Sequence, residues 1–188
     1  MAGPSPAMTD HEVRVTERRE LVHGTCVALG PHAALLRGGS GSGKSDLALR
    51  FLALAPEHDL QPLLVADDQV WVAAQGDGSL IASPPETIAG KIEVRGLGIV
   101  ELPHRREARL ALVADLVSAE EVPRMPPHPC PRITLAGVAL PVVKLAPFEL
   151  SAPLKLKLAL LSALSQSPHQ QDRFGLAPSR RPDKDSGL

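Results

Sequence analysis

Eight consecutive residues constrain this chain more than any others: Gly38-Gly39-Ser40-Gly41-Ser42-Gly43-Lys44-Ser45, a G-x-x-x-x-G-K-S run. The pattern is that of a phosphate-binding P-loop. The apolar segment Ala33 to Leu36 before it reads as a strand. Asp46 to Leu54 after it reads as a helix, with Leu47, Ala48, Phe51, Leu52 and Leu54 available to a buried face. Glycines permit backbone conformations that a Cβ forbids. The freed N–H groups then line a nest for anionic oxygens, and the following helix adds the positive end of its dipole. Lys44 suits the β- and γ-phosphates, and the Ser45 hydroxyl suits a Mg²⁺ ion. A bare glycine-rich turn is the competing reading, and the strand–loop–helix context argues against it.

Composition bounds what can surround this loop. A length of 188 residues with 44% apolar residues suits a single domain with a sizeable core. Aromatics are only 2%, so Leu, Val, Ile and Ala must fill that core. A net charge of −1 argues against a broad nucleic-acid-binding face. No apolar run reaches the length of a membrane span, and Met1 to Thr9 lacks the basic and apolar regions of a secretory signal. Cys26 and Cys130 lie far apart, with neither metal-motif spacing nor a disulfide framework. A cytoplasmic location is the expectation.

Along the chain, residues 1–20 read as a mobile lead-in, 21–164 as the folded domain and 165–188 as a disordered Gln-, Pro- and Arg-rich tail. Leu21 to Leu29 is a β-rich run that turns at Gly30-Pro31 and forms a hairpin with the strand entering the P-loop. Leu63 to Ala66 reads as a buried strand ending at Asp67-Asp68. Carboxylates there suit metal or nucleophile handling, and strand alternation turns only one of the two toward the phosphates. Val70 to Ala74 and Leu80 to Ala82 form a second hairpin, and Pro84 to Thr87 opens a short helical turn. In Lys91 to Val100, alternation puts Glu93 and Arg95 on one face of a strand, before a bend at Gly96 and Gly98. Arg109 to Val117 is a further strand, Ser118 to Pro131 a loop, and Arg132 to Leu135 with Val138 to Lys144 a third hairpin. Leu154 to Leu164 reads as a helix with Lys155 and Lys157 on or near its exposed side.

Four segments together resemble the catalytic domain of bacterial HPr kinase/phosphorylase. They are His23-Gly24 with the strand after it, the P-loop, Val65-Ala66-Asp67-Asp68, and Glu93-Val94-Arg95-Gly96-Leu97-Gly98-Ile99. The resemblance covers about Val22 to Leu164, and the E-V-R-G-L-G-I stretch is its most distinctive part. It implies an α/β fold: a P-loop kinase domain of the HPr kinase/phosphoenolpyruvate carboxykinase-like type, with mixed sheets and several hairpins. With about twenty residues before His23, the chain is similar to the short alphaproteobacterial form without an N-terminal domain.

The same resemblance implies a cytoplasmic protein serine kinase using ATP and Mg²⁺. Its substrate would be HPr, the small phosphocarrier of the sugar phosphotransferase system, and it would act as a homo-oligomer. Phosphorolysis of phosphorylated HPr is implied too. The basic stretch that long members carry for it is replaced here by Pro147-Phe148-Glu149-Leu150-Ser151-Ala152-Pro153. By position, Gly38, Gly39, Ser40, Gly41, Ser42, Gly43, Lys44 and Ser45 would bind the nucleotide, and Ser45 and Glu93 the metal. Asp68 would be the catalytic carboxylate, with Lys44, His23 and Arg124 completing the catalytic set. Two other readings are a P-loop kinase of small molecules and a nucleotide-sensing module without catalysis. The E-V-R-G-L-G-I stretch speaks against the first and the acidic pair against the second.

Overall fold

The computed structural model describes residues 18–58 and 60–165; the expectations for residues 1–17 and 166–188 lie outside them. Strand β1 (Arg19–His23) is followed by β2 (Thr25–Leu29) and β3 (His32–Arg37), and the P-loop leads into helix α1 (Lys44–Leu52). Then come β4 (Pro62–Ala66), β5 (Gln69–Ala74), β6 (Leu80–Ser83), a 3₁₀ turn at Glu86–Ile88, and the pair β7 (Lys91–Val94) and β8 (Gly98–Glu101). Strand β9 (Ala108–Leu116), a second 3₁₀ turn (Ala119–Glu121), β10 (Arg132–Leu135), β11 (Val138–Leu145) and helix α2 (Ala152–Ser165) complete the order.

Among the described residues nine strands form one mixed sheet, ordered β1-β5-β6-β9-β3-β2-β4, with the β10–β11 hairpin joined to it through β9. Strand β9 organises the sheet. One edge pairs in parallel with β3 along its length, from Arg109 to Asp115. The other edge is shared: β6 pairs antiparallel near Ala108 to Leu110, and β11 pairs in parallel from Val113 to Leu116. Nearly continuous apolar residues, as in β9, are what a strand buried on both faces requires. The expected hairpins β2–β3, β5–β6 and β10–β11 are all present. Among the described residues the second sheet consists of β7 and β8.

The two faces of the main sheet are covered differently. One carries α1 and α2 over Val27, Leu29, Ala34, Leu36, Leu64 and Leu112, with Phe51, Leu156 and Leu160 fully buried. Among the described residues the other is closed by strand and turn residues, including Leu35, Val65, Val72, Leu110, Val113, Leu135 and Leu140. Burying a side chain of this size contributes about 1.5–3 kcal/mol. A core without Tyr and with a single Trp is therefore assembled from many aliphatic contributions.

Four sequence expectations are corrected. The β-rich run 21–29 is not one strand. It breaks at Gly24, where a Cβ would lie 2.7 Å from the Leu36 carbonyl oxygen and where the amide bonds the Asp68 carbonyl instead. β1 leaves to pair with β5, and it begins at Arg19, whose guanidinium stacks 3.9 Å over the Trp71 ring. Arg95 does not share a strand face with Glu93: β7 ends at Val94, and Arg95 sits in the turn that Gly96, at φ 86°, allows. Lys157 is buried on α2, where its stem packs inward and its ammonium reaches Glu57 at 2.7 Å.

Candidate active site

The C-terminal ends of β3 and β4 lie at the same edge of the sheet, because both run antiparallel to β2 between them. The P-loop leaves the first and Asp67-Asp68 the second. A cavity of about 690 Å³ opens there, lined by Ser40 to Asp46, His23, Asp67, Asp68, Glu93, Arg95 and Phe148 among others. Its size is that of a small-molecule site.

The loop geometry follows from its glycines. Gly43, at φ 84°, precedes the first residue of α1, and its carbonyl accepts the first helical bond from Leu47. A Cβ on Gly38 would collide with the Ser42 side chain. Lys44 opens the helix, and its buried ammonium donates to the Gly38 and Gly39 carbonyls, both at 2.9 Å. A phosphate oxygen entering the nest would compete for those same protons.

Ser45, one residue into the helix, faces the carboxylates. Its hydroxyl lies 3.2 Å from both Asp67 oxygens. Asp67 is buried and has two further donors. The fully buried Thr25 hydroxyl donates to Oδ1 at 2.6 Å, and the Glu93 amide donates to Oδ2 at 3.2 Å. Three elements thus fix one carboxylate: β2, α1 and β7. Asp68 is its opposite. It is exposed, it adopts φ 67°, and its Oδ1 lies 3.2 Å from Nδ1 of the exposed His23. The register that sets His23 opposite Gln69 brings these two side chains together.

The structure therefore gathers His23, Lys44, Ser45, Asp68 and Glu93 around the P-loop. Arg124 is not gathered: it is exposed on the 118–131 loop and does not line the cavity. Two contributors were not singled out from sequence. Thr25 carried no signal, being one more residue at the head of a β-rich run. Asp67 was visible only as half of an acidic pair; the expectation that alternation turns just one of the two inward is corrected, because both lie in the bend after β4 and both line the cavity, with Asp67 the one that meets Ser45.

The side-chain donors of Ser45, Asp67 and Glu93 are all oxygen, and all three residues line the cavity. Among the described residues no three His, Cys, Asp or Glu side chains cluster as a metal cage. Few protein oxygens beside a phosphate nest are what Mg²⁺ takes, since it keeps waters and shares phosphate oxygens. The residues fit that ion.

A family model described as the HPr serine kinase C-terminal domain matches residues 14–120. The HPr kinase/phosphorylase of Geobacillus thermodenitrificans is 37% identical over 105 residues, covering 50% of this chain and 31% of the relative. That of Bordetella pertussis is 32% identical over 130 residues, covering 65% and 40%. The chain thus spans between about a third and two fifths of the length of these two curated relatives. Among solved structures, the Hpr(Ser) kinase/phosphatase from Coxiella burnetii aligns with a TM-score of 0.62 at 21% identity. It covers 76% of this chain and 95% of that one, and the fold is shared.

Proposed function

The chain belongs to the HPr serine kinase C-terminal domain family, and on that premise we propose that it is an ATP- and Mg²⁺-dependent protein serine kinase whose acceptor is the phosphocarrier HPr. The observation that carries this reading is the shared cavity. One space is lined by the P-loop, by Ser45, Asp67 and Glu93, and by the exposed Asp68.

The chemistry follows from charge. Phosphoryl transfer needs positioning and electrostatic stabilisation more than covalent help. The P-loop amides and Lys44 bind the triphosphate. Ser45, Asp67 and Glu93 would hold Mg²⁺, which when bound neutralises charge on the phosphate oxygens. Asp68 accepts the proton of the attacking serine hydroxyl. The serine oxygen then bonds to the γ-phosphorus as the bond to the ADP oxygen breaks. His23 orients Asp68 through the 3.2 Å contact. Arg124 enters no step within one chain. Phosphorolysis of phosphorylated HPr would run the same atoms backwards, with inorganic phosphate as acceptor and Asp68 returning the proton. We place the protein in the cytoplasm and expect a homo-oligomer. Among the described residues no helix is long and apolar enough to cross a membrane.

The test is incubation of the chain with HPr, Mg²⁺ and labelled ATP, then of the labelled product with inorganic phosphate. Label on an HPr serine, lost when Mg²⁺ is chelated, is the expected result. Nucleotide binding with no transfer to HPr, in the presence of Mg²⁺, overturns the reading.

A further inference from the structure

Two apolar residues of the cavity are largely exposed, Ile99 and Phe148, and Phe148 is the aromatic one. Its side chain is 71% exposed, yet its mount is rigid. The Pro147 and Glu149 carbonyls both accept from the Arg50 guanidinium of α1, and Arg50 is itself paired with Asp46 at 2.7 Å. Lys155 at the start of α2 pairs with Glu149. The ring lies against the last glycine of the P-loop: its carbons are 3.0 and 3.1 Å from where a Cβ on Gly43 would sit. An aromatic face is thus held open to water, at the mouth of a phosphate cradle, in a chain that has only three phenylalanines. Core packing does not account for it.

Sheet order says which part of a nucleotide this ring would meet. At the edge of the sheet carrying the P-loop, the strands run β4-β2-β3-β9-β11. Asp67 and Asp68 follow β4, two strands to one side of the P-loop. Phe148 follows β11, two strands to the other side. The carboxylates and Glu93 mark the end where the terminal phosphoryl reacts. A triphosphate lying in the cradle between them directs its nucleoside away from the carboxylates, along the first turn of α1. Asp46, Leu49 and Phe148 line the cavity there.

We infer that Phe148 is the stacking platform for the purine base of the nucleotide, and that it sets the preference for a nucleoside triphosphate over a bare polyphosphate. The inference rests on the P-loop reading proposed above and adds the residue that recognises the base. Stacking on an aromatic face is favourable for any base, so the ring supplies affinity more than discrimination among bases.

Two ligands that share the phosphates and differ in the nucleoside provide the test: ATP and inorganic tripolyphosphate, titrated into the full chain with Mg²⁺ by calorimetry. Wild type is expected to bind both, ATP more tightly. Phe148→Ala should weaken ATP by about ten- to a hundredfold, the range of one lost base stack, and leave tripolyphosphate unchanged. Phe148→Trp should keep ATP affinity, and its indole fluorescence should be quenched by ATP but not by tripolyphosphate. An equal loss for both ligands in Phe148→Ala would mean that the ring only shapes the loop, and it overturns the proposal. Unchanged ATP binding overturns it as well. A wild type that binds neither ligand overturns the P-loop reading itself, a result distinct from either.

Discussion

Asp67 and Asp68 are neighbours in sequence and opposites in structure. Asp67, on the floor of the cavity, is buried and held by donors from β2, α1 and β7. Asp68, on the rim, is exposed, has a positive φ, and has His23 as its one side-chain partner among the described residues. A buried carboxylate with its oxygens occupied is locked in one orientation, and removing a donor leaves charge uncompensated. An exposed one adds little to stability. Aspartate is one of the few non-glycine residues that enter the left-handed region readily, so the bend is made where the residue type tolerates it. The floor is therefore built to stay still, and the rim to meet a second molecule.

The largest expected effect falls on the rim. Asp68→Asn should retain nucleotide affinity and lower phosphotransfer to HPr by about 10²–10⁴-fold, the scale for loss of a positioned base. Its unfolding free energy should stay within about 0.5 kcal/mol of wild type, as for other surface substitutions. Single-turnover transfer and a denaturant melt measure the two sides. Wild-type turnover would end the division of labour between the two aspartates. A large loss of stability would make Asp68 a structural residue.

Much of this site was legible in the chain, and the reasons are local. A P-loop is a short-range object: its glycines, lysine and serine are consecutive, so sequence contains the whole device. The hairpins β5–β6 and β10–β11 are equally local, announced by Gly78 and Gly137, both at positive φ. What was hidden depends on pairing between distant strands. That β9 is central, with β3 on one edge and β6 and β11 sharing the other, is invisible in its own residues. The choice between Asp67 and Asp68 was hidden for the same reason. Alternation would send them to opposite faces, but the chain bends after Ala66 and both line the cavity; only the pairing of Cys26 with Ala66 brings Thr25 to Asp67. Lys157 was misread because helical spacing alone does not show that Glu57 waits at the end of a buried stem.

A smaller effect should expose the rigidity of the floor. Thr25→Val keeps the shape of the side chain and deletes the 2.6 Å bond to Asp67. A hydrogen bond to a charged group contributes about 1.5–3 kcal/mol. The Mg²⁺ concentration for half-maximal binding of the Mg²⁺–nucleotide complex should then rise about tenfold or more. Thr25→Ser should restore it, because the hydroxyl and not the methyl positions the carboxylate. Binding of nucleotide in the presence of a chelator should not change in either variant. If Thr25→Val merely lowers the melting temperature and leaves the Mg²⁺ dependence alone, the threonine supports the core rather than the site.

The smallest effect expected lies at the outermost part of the rim. The β7–β8 hairpin ends in Leu97 and Ile99, which are 77% and 73% exposed, while its inner residue Ile92 is fully buried against the helical face. Ile99 lines the cavity, and the Glu93 amide of the same hairpin bonds Asp67. Asp68 lines the same cavity, so under the proposed function a protein acceptor presented to Asp68 would have this hairpin beside it. Replacing both by serine removes apolar area from a surface already in water, so stability should move by no more than about 0.5 kcal/mol. The KM for HPr should rise about tenfold, the loss expected from about 1.4 kcal/mol of apolar contact. Turnover at saturating HPr and the affinity for ATP should remain those of wild type. A fall in turnover without a change in KM would instead tie the hairpin tip to Asp67 through Glu93, making it an extension of the floor.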